Sequence, residues 1–178
     1  MRRSILALLF LILLTACGSS KSGLTADDLA IVKVDNDKEI VRYGMSRASV
    51  EKVLGEGEKS DVINIVSYEN DVSVLYRDNA VVAILLSEES NGIFKTLQGA
   101  EINMNKEDLE KIYGHDNVIE KAKNLDYIYD SIEGKYLSDM PVDPKDRTKI
   151  YHVSVMFNDN GEAENISLLD NNAATLAK

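Results

Sequence analysis

Cys17 carries the only thiol in the 178-residue chain, and it closes the run Leu14-Thr15-Ala16-Cys17. The other side chains able to do chemistry are scattered. His115 and His152 are the only histidines, and neither belongs to a His-x-x-x-His or His-Glu-x-x-His pattern. With no second cysteine to join them, a transition-metal site is not expected. No serine lies in a Gly-x-Ser-x-Gly setting, and no glycine-rich loop is placed to cradle phosphate. Two acidic stretches, Asp35-Asn36-Asp37 and Asn158-Asp159-Asn160-Gly161-Glu162, resemble calcium loops at first sight. Setting Gly161 at the sixth position of such a loop puts Met156 at the first and Ser167 at the twelfth. Met156 has no oxygen to offer there. Both stretches therefore read as solvated turns. The chain predicts no metal, no cofactor and no catalytic constellation, and so a protein that is not an enzyme.

Cys17 has a different setting. Arg2 and Arg3 precede an apolar run from Ile5 to Leu14, the order of a secretory signal. The run is about half of the ~20 residues that a membrane-spanning helix needs. Leu14-Thr15-Ala16-Cys17 resembles the lipobox of bacterial lipoprotein precursors. In that family the cysteine receives a diacylglyceryl group and the chain is cut just before it. The resemblance implies a signal over residues 1–16 and lipid attachment at Cys17. Two acyl chains hold stably where one holds only reversibly. Gly18 to Gly23 are small and polar, so residues 17–30 are expected to form a flexible tether.

The net charge is −10, and loss of Arg2 and Arg3 with the signal takes it to −12. Such a body is repelled by anionic lipid and by nucleic acid, so the anchor does the holding and nucleic acid is not a partner. A lipidated Cys17 leaves no thiol for a disulfide. The ~145 residues beyond the tether are enough for one core without such staples. The expected location is the extracytoplasmic face of the cell membrane, or the outer membrane where the host has one.

The elements that must position any site show an internal repeat. Gly44-Met45-Ser46 to Leu54-Gly55 aligns with Asn103-Met104-Asn105 to Tyr113-Gly114. Val72 to Asn79 aligns with Val153 to Asn160. After one inserted residue, Gly161, Ile84 and Leu86 align with Ile166 and Leu168. Each first block predicts a short helix, with Ser46 or Asn105 as N-cap and Gly55 or Gly114 as a left-handed stop. Val50, Val53 and Leu54 form its apolar stripe, as do Leu109, Ile112 and Tyr113. Period-2 alternation predicts hairpins over 72–86, turning at Asp78-Asn79, and over 153–169, turning at Asn160-Gly161. A third strand is expected at Val62–Tyr68 in the first unit and at Leu125–Tyr129 in the second. The fold class is α+β. Two tandem repeats are predicted, 31–90 and 91–178, each a short helix followed by a three-stranded antiparallel meander. The copies share one sheet packed on the helices, and an irregular loop is inserted near 131–148.

The Met-Ser helix ending in Leu-Gly, followed by strands closing on Leu75-Tyr76-Arg77-Asp78-Asn79, resembles the SmpA/OmlA/BamE-type envelope lipoproteins. The tandem arrangement is similar to the β-lactamase inhibitory protein family, which binds its target on the sheet face away from the helices. Together these resemblances imply a non-enzymatic protein-interaction module, serving envelope assembly or inhibitor-like binding. Its partners are the membrane, through Cys17, and another envelope or secreted protein.

With Val72, Val74 and Tyr76 turned to the helix, the opposite face carries Ser73, Leu75 and Leu85 from one unit. It carries Ser154 and Met156 from the other. Mixed small polar and apolar character of this kind suits an interface, unless the segment Leu24–Val34 or a neighbouring loop covers it. Tyr136 and Asp139, in the inserted loop, are further partner-binding candidates. Tyr127 and Tyr129 read as ordinary strand residues on opposite faces. A second reading of the same residues is a small-molecule or cell-wall-polymer binder using the tyrosines and the inserted loop.

Overall fold

The computed structural model describes residues 23–60 and 64–176, and the fold is α+β with mostly antiparallel sheet. Cys17 and the signal segment lie outside the described residues. Two sheets are present. A small one has the order β2-β1-β7, from β1 (Ala30–Lys33), β2 (Asn36–Arg42) and β7 (Phe94–Thr96). The large one is built from β3 (Glu58–Lys59), β4 (Ile65–Tyr68), β5 (Val72–Arg77) and β6 (Ala80–Leu86), followed by β9 (Asn124–Asp130), β10 (Lys135–Leu137), β11 (Ile150–Phe157) and β12 (Ala163–Asp170). Its order is β10-β9-β11-β12-β6-β5-β4-β3, and β8 (Ile119–Lys121) also pairs with β9. The small sheet is a departure from the single shared sheet expected. Residues 94–96 are too short a run to announce a strand by periodicity, and only pairing with β1 makes them one.

Helices α1 (Arg47–Leu54) and α2 (Lys106–Tyr113) are eight residues each, too short to persist alone. They are held by burial: Val50 and Leu109 are fully enclosed, and Val53, Leu54, Ile112 and Tyr113 pack around them. Each such enclosed side chain contributes about 1.5–3 kcal/mol. Both helices stop at the predicted glycines, and φ is positive at each, +86° at Gly55 and +97° at Gly114, but ψ is extended, −174° and 147°, so neither is the left-handed helical cap expected. The caps differ. The Asn105 side chain accepts from the Asp108 amide at 3.0 Å. Ser46 makes no such bond; its hydroxyl pairs with that of Ser49 at 3.0 Å.

One core runs between the inner face of the large sheet and a layer made of α1, α2 and the small sheet. It includes Leu29, Ile31, Val41 and Phe94 from the small-sheet side and Val72, Val74, Ile84, Val153, Val155 and Ile166 from the large sheet. Leu24 is buried in this core, residues 26–28 form a turn of 3₁₀ helix, and Ala30 opens β1. Residues 24–30 thus belong to the folded body, not to a tether over 17–30. Tyr127 and Tyr129 both enter the core, as residues two apart in a strand must, and do not lie on opposite faces.

Three other local expectations need correction. The strand placed at Val62–Tyr68 is described only from Ile65. The turn between β11 and β12 is longer than the two residues Asn160-Gly161. Gly161 alone is left-handed, at φ +78°, and Asn158 closes the loop by accepting from the amides of Asn160 and Glu162. The β5–β6 turn is the two-residue form, with Asp78 and Asn79 both left-handed. The loop expected near 131–148 contains β10 and runs into a 3₁₀ turn at Arg147–Lys149.

The last described element is α3 (Asn171–Leu176), which the sequence pattern did not announce. Ala173 of α3 packs on Val82 and Ala83, on the side of the sheet away from α1 and α2. Those neighbouring strand residues share that side because the β5–β6 register slips between Leu75 and Tyr76.

Candidate functional site

The outer face of the large sheet is laid out in transverse rows. Cross-strand partners place Ser67, Ser73, Leu85, Ser167, Ser154 and Asp126 in one line across six strands. Four of its six side chains are serines. Four of its polar side chains are bonded within the face: Ser154 donates to Asp126 at 2.5 Å, Asn124 donates to the same carboxylate at 2.8 Å, and the hydroxyls of Ser67 and Ser73 lie 3.4 Å apart. A parallel row holds Ile65, Leu75, Ala83, Leu169, His152 and Ile128. Helix α3 covers the middle of that second row and leaves the serine row half-exposed. Met156, two residues along β11 from Ser154, is 47% exposed.

Of the predicted partner-binding residues, Ser73, Leu75, Leu85, Ser154 and Met156 therefore share one surface. The N-terminal segment expected as its cover packs on the helix side instead, and α3 supplies the partial cover. Tyr136 and Asp139 are elsewhere. Tyr136 stands opposite Tyr129 in the β9–β10 pair, rings edge to face at 5.0 Å, on the core side of the sheet. Asp139 is exposed, with its carboxylate accepting from the Met140 amide.

Tyr136 lines a cleft of about 400 Å³ together with Leu24, Asp28, Gln98, Ile112 and Tyr113. The Asp28 carboxylate is buried and accepts from the Thr25 amide and hydroxyl at 2.8 and 2.7 Å and from the Gln98 amide at 2.7 Å. Burial pushes the Tyr136 phenol above its ordinary pKa, with Tyr129 and Asp28 adding to the rise. Gln98 Oε1 is buried there without a hydrogen-bond partner among the described residues. Asp28 closes the capping box Thr25-Ala26-Asp27-Asp28, a pattern that marks a helix start, but nothing in the sequence links it or Gln98 to the tyrosines, and only the fold puts them together.

The histidines part company. His115 is exposed and its Nδ1 lies 2.9 Å from Glu110. His152 is buried beneath the start of α3, and desolvation lowers its pKa to about 4. Beside it, Asp170 is fully enclosed and accepts from Arg77, from the Tyr43 hydroxyl at 2.7 Å and from the Ala173 amide at 2.7 Å. The run Asp170-Asn171-Asn172 directly after a strand was the available signal, since Asp is a favoured helix cap. Among the described residues, no cluster of three or more His, Cys, Asp or Glu side chains is placed to hold a metal ion. None of their helices is long and apolar enough to cross a membrane.

No protein-family profile matches the chain, and no curated protein matches it. Among solved structures it is similar to a DUF4309 family protein (YjgB) from Bacillus subtilis subsp. subtilis str. 168. The identity is 15% and the TM-score 0.38, over 70% of this chain and 78% of that one.

Proposed function

We propose that the protein is an extracytoplasmic lipoprotein, anchored through Cys17. In this reading two copies of one helix-plus-sheet unit join edge to edge and present the serine row as a docking face for another envelope or secreted protein. The observation that carries the reading is that row, serine-rich and half-exposed across six strands, with the exposed Met156 beside it. Small hydroxyls cost little to desolvate once they are bonded to one another, and Leu85 and Met156 supply apolar contact.

The repeat is supported by matched details. Gly44 and Asn103, both left-handed, donate their amides to Val81 and Ala163 at 2.8 Å each. Val81 and Ala163 donate back to Met45 and Met104 at 2.9 Å each. The register slips at Leu75/Tyr76 and again at Met156/Phe157, positions that the sequence repeat equates. Where the halves meet, Leu86 pairs with Ile166 and Ile84 with Leu168. Each residue thus faces the other member of the matched pair, the arrangement of a local twofold axis at Leu85/Ser167. Such an axis keeps both helices on one side of the sheet and leaves the other side to a partner.

The reading predicts that a photo-crosslinking residue at Ser73 or Ser167, in lipidated protein in its host envelope, captures one defined protein. The companion variant Leu85→Arg should abolish that capture while leaving circular dichroism and the urea midpoint nearly unchanged. Recovery of no protein from these positions, or of the same protein from Leu85→Arg, would show that the face is not the docking surface.

The cleft beside Asp28 favours a second reading, a binder of a small hydroxylated or amine-bearing molecule. Its volume lies at the low end of the ~300–1,000 Å³ typical of ligand pockets. This reading predicts saturable binding of soluble wall-polymer fragments in calorimetry. Binding should weaken about tenfold in Tyr136→Ala, the effect of roughly 1.4 kcal/mol of lost ring contact. Equal affinity in both proteins would rule the cleft out.

A further inference from the structure

We infer that the segment 131–149 is the rim of the protein that lies against the lipid surface, with Ile132 and Val142 entering the headgroup boundary. This rests on the reading that Cys17 is lipidated. Six peptide units separate Cys17 from Gly23, so the leash reaches at most ~22 Å. A body of about 150 residues has a radius of gyration near 15 Å, hence a width of roughly 40 Å. The leash is shorter than the body, so the side that carries Gly23 must face the bilayer.

Contacts identify that side. Gly23 packs against Tyr129: a methyl group added at Gly23 would overlap the Tyr129 ring and hydroxyl, and one at Gly134 would fall 3.8 Å from the same oxygen. The entry point of the folded chain and the turn between β9 and β10 thus flank one hydroxyl. The turn is tied to the rest of the segment. The Ser131 amide and hydroxyl donate to the Lys149 carbonyl at 3.0 and 2.7 Å, and the Arg147 guanidinium donates to the Val142 carbonyl at 2.8 Å.

Exposure and charge agree with this placement. Val142 is 92% exposed and Ile132 is 51% exposed, the two most exposed large apolar side chains among the described residues. Both belong to this segment, and side chains of that kind are stabilised at the boundary between headgroups and acyl chains. Residues 131–149 carry four basic and four acidic side chains, so they are neutral, and the whole −12 of the chain beyond the signal lies elsewhere. An anionic bilayer repels the remainder and leaves this rim indifferent. The leash and the charge distribution therefore orient the body the same way.

The test uses full-length protein purified with its lipid and reconstituted into vesicles of phosphatidylcholine with one-third phosphatidylglycerol. Fluorophores are placed on Val142→Cys, on Ile132→Cys and on Glu58→Cys. Glu58 lies on β3, seven strand spacings from β10 and so ~33 Å away across the sheet. Lipid-borne quenchers should quench the first two labels roughly threefold or more over the third, as expected of side chains ~5–10 Å into the boundary. Mass spectrometry of the N-terminal peptide is read on the same samples. A lipidated Cys17 with equal quenching at all three sites overturns the orientation and leaves the anchor standing. A free Cys17 overturns the anchor and the orientation with it.

Discussion

Replacing Asp170 by alanine is expected to destabilise the protein by about 3–5 kcal/mol, the cost of removing one partner from a buried ion pair. Asp170 is the last residue of β12 and has no exposed surface. Its Oδ2 accepts from Arg77 and from the Tyr43 hydroxyl, and its Oδ1 accepts from the Ala173 amide. Alanine would leave a partly buried guanidinium, a phenol and the first turn of α3 without their acceptor. The carboxylate's influence is already visible in its partners. Its hydrogen bond raises the pKa of Arg77, and burial followed by that of Asp170 holds the Tyr43 phenol far above the ordinary range. Asp170→Asn keeps the cap, since asparagine is as good an N-cap as aspartate, and should lose roughly half as much. Urea unfolding gives the energies. Amide exchange over residues 171–176 should speed up in Asp170→Ala and less in Asp170→Asn. If both variants unfold at the wild-type midpoint, Asp170 does not tie α3 to the sheet.

Acid should weaken the same corner of the molecule through His152. This side chain is buried in the second row of the outer face, between Ile128 and Leu169 on the adjacent strands. Desolvation lowers its pKa from 6.5 to about 4, against the opposing pull of Asp126, Asn171 and Asp170. Above about pH 6.5 the imidazole is neutral in both the folded and the unfolded chain, and it sets no slope. As the pH falls from 6.5 toward 4, the unfolded chain takes up a proton that the folded one refuses. Stability is therefore lost across that window, by roughly 3 kcal/mol at its lower end. His152→Leu should abolish most of this slope, leaving the carboxylates to act below it. Urea midpoints measured at pH 7, 5.5 and 4.5 decide the matter. Parallel pH profiles for the two proteins would mean that His152 is not the titrating group. The apolar row beneath α3 would be uncovered as this corner opens, so the docking face proposed here should widen in acid.

Much of the architecture was legible because it is local. The alternation over 72–86 and 153–169, the glycines after Leu54 and Tyr113, and the cap at Asn105 each act within a few residues. All of them are found where the pattern put them. What was not legible depends on distant partners. Phe94–Thr96 becomes a strand only because β1 lies beside it. Leu24 looks like tether in the sequence, and it is core because a hydrophobic space between α2 and the sheet receives it. His152 has the same neighbours in sequence whether it is solvated or enclosed, and α3 decides the matter from the far end of the chain.

The candidate surfaces divide the same way. Period-2 alternation was enough to say that Ser73, Leu75 and Leu85 share a face, and that Ser154 and Met156 share one. Joining those two faces into one surface needed the β6–β12 pairing, about eighty residues apart in the chain. The cleft formed by Asp28, Gln98, Tyr113 and Tyr136 draws on four separate segments, and no sequence signal joins them. By itself, then, the sequence determined the two eight-residue helices, the two long hairpins and the alternation along their strands. Those features follow from covalent neighbours and a fixed backbone period. Only the tertiary structure decided which faces adjoin, what covers them and which polar groups lose water. Those outcomes depend on contacts between segments far apart, whose burial no local pattern encodes.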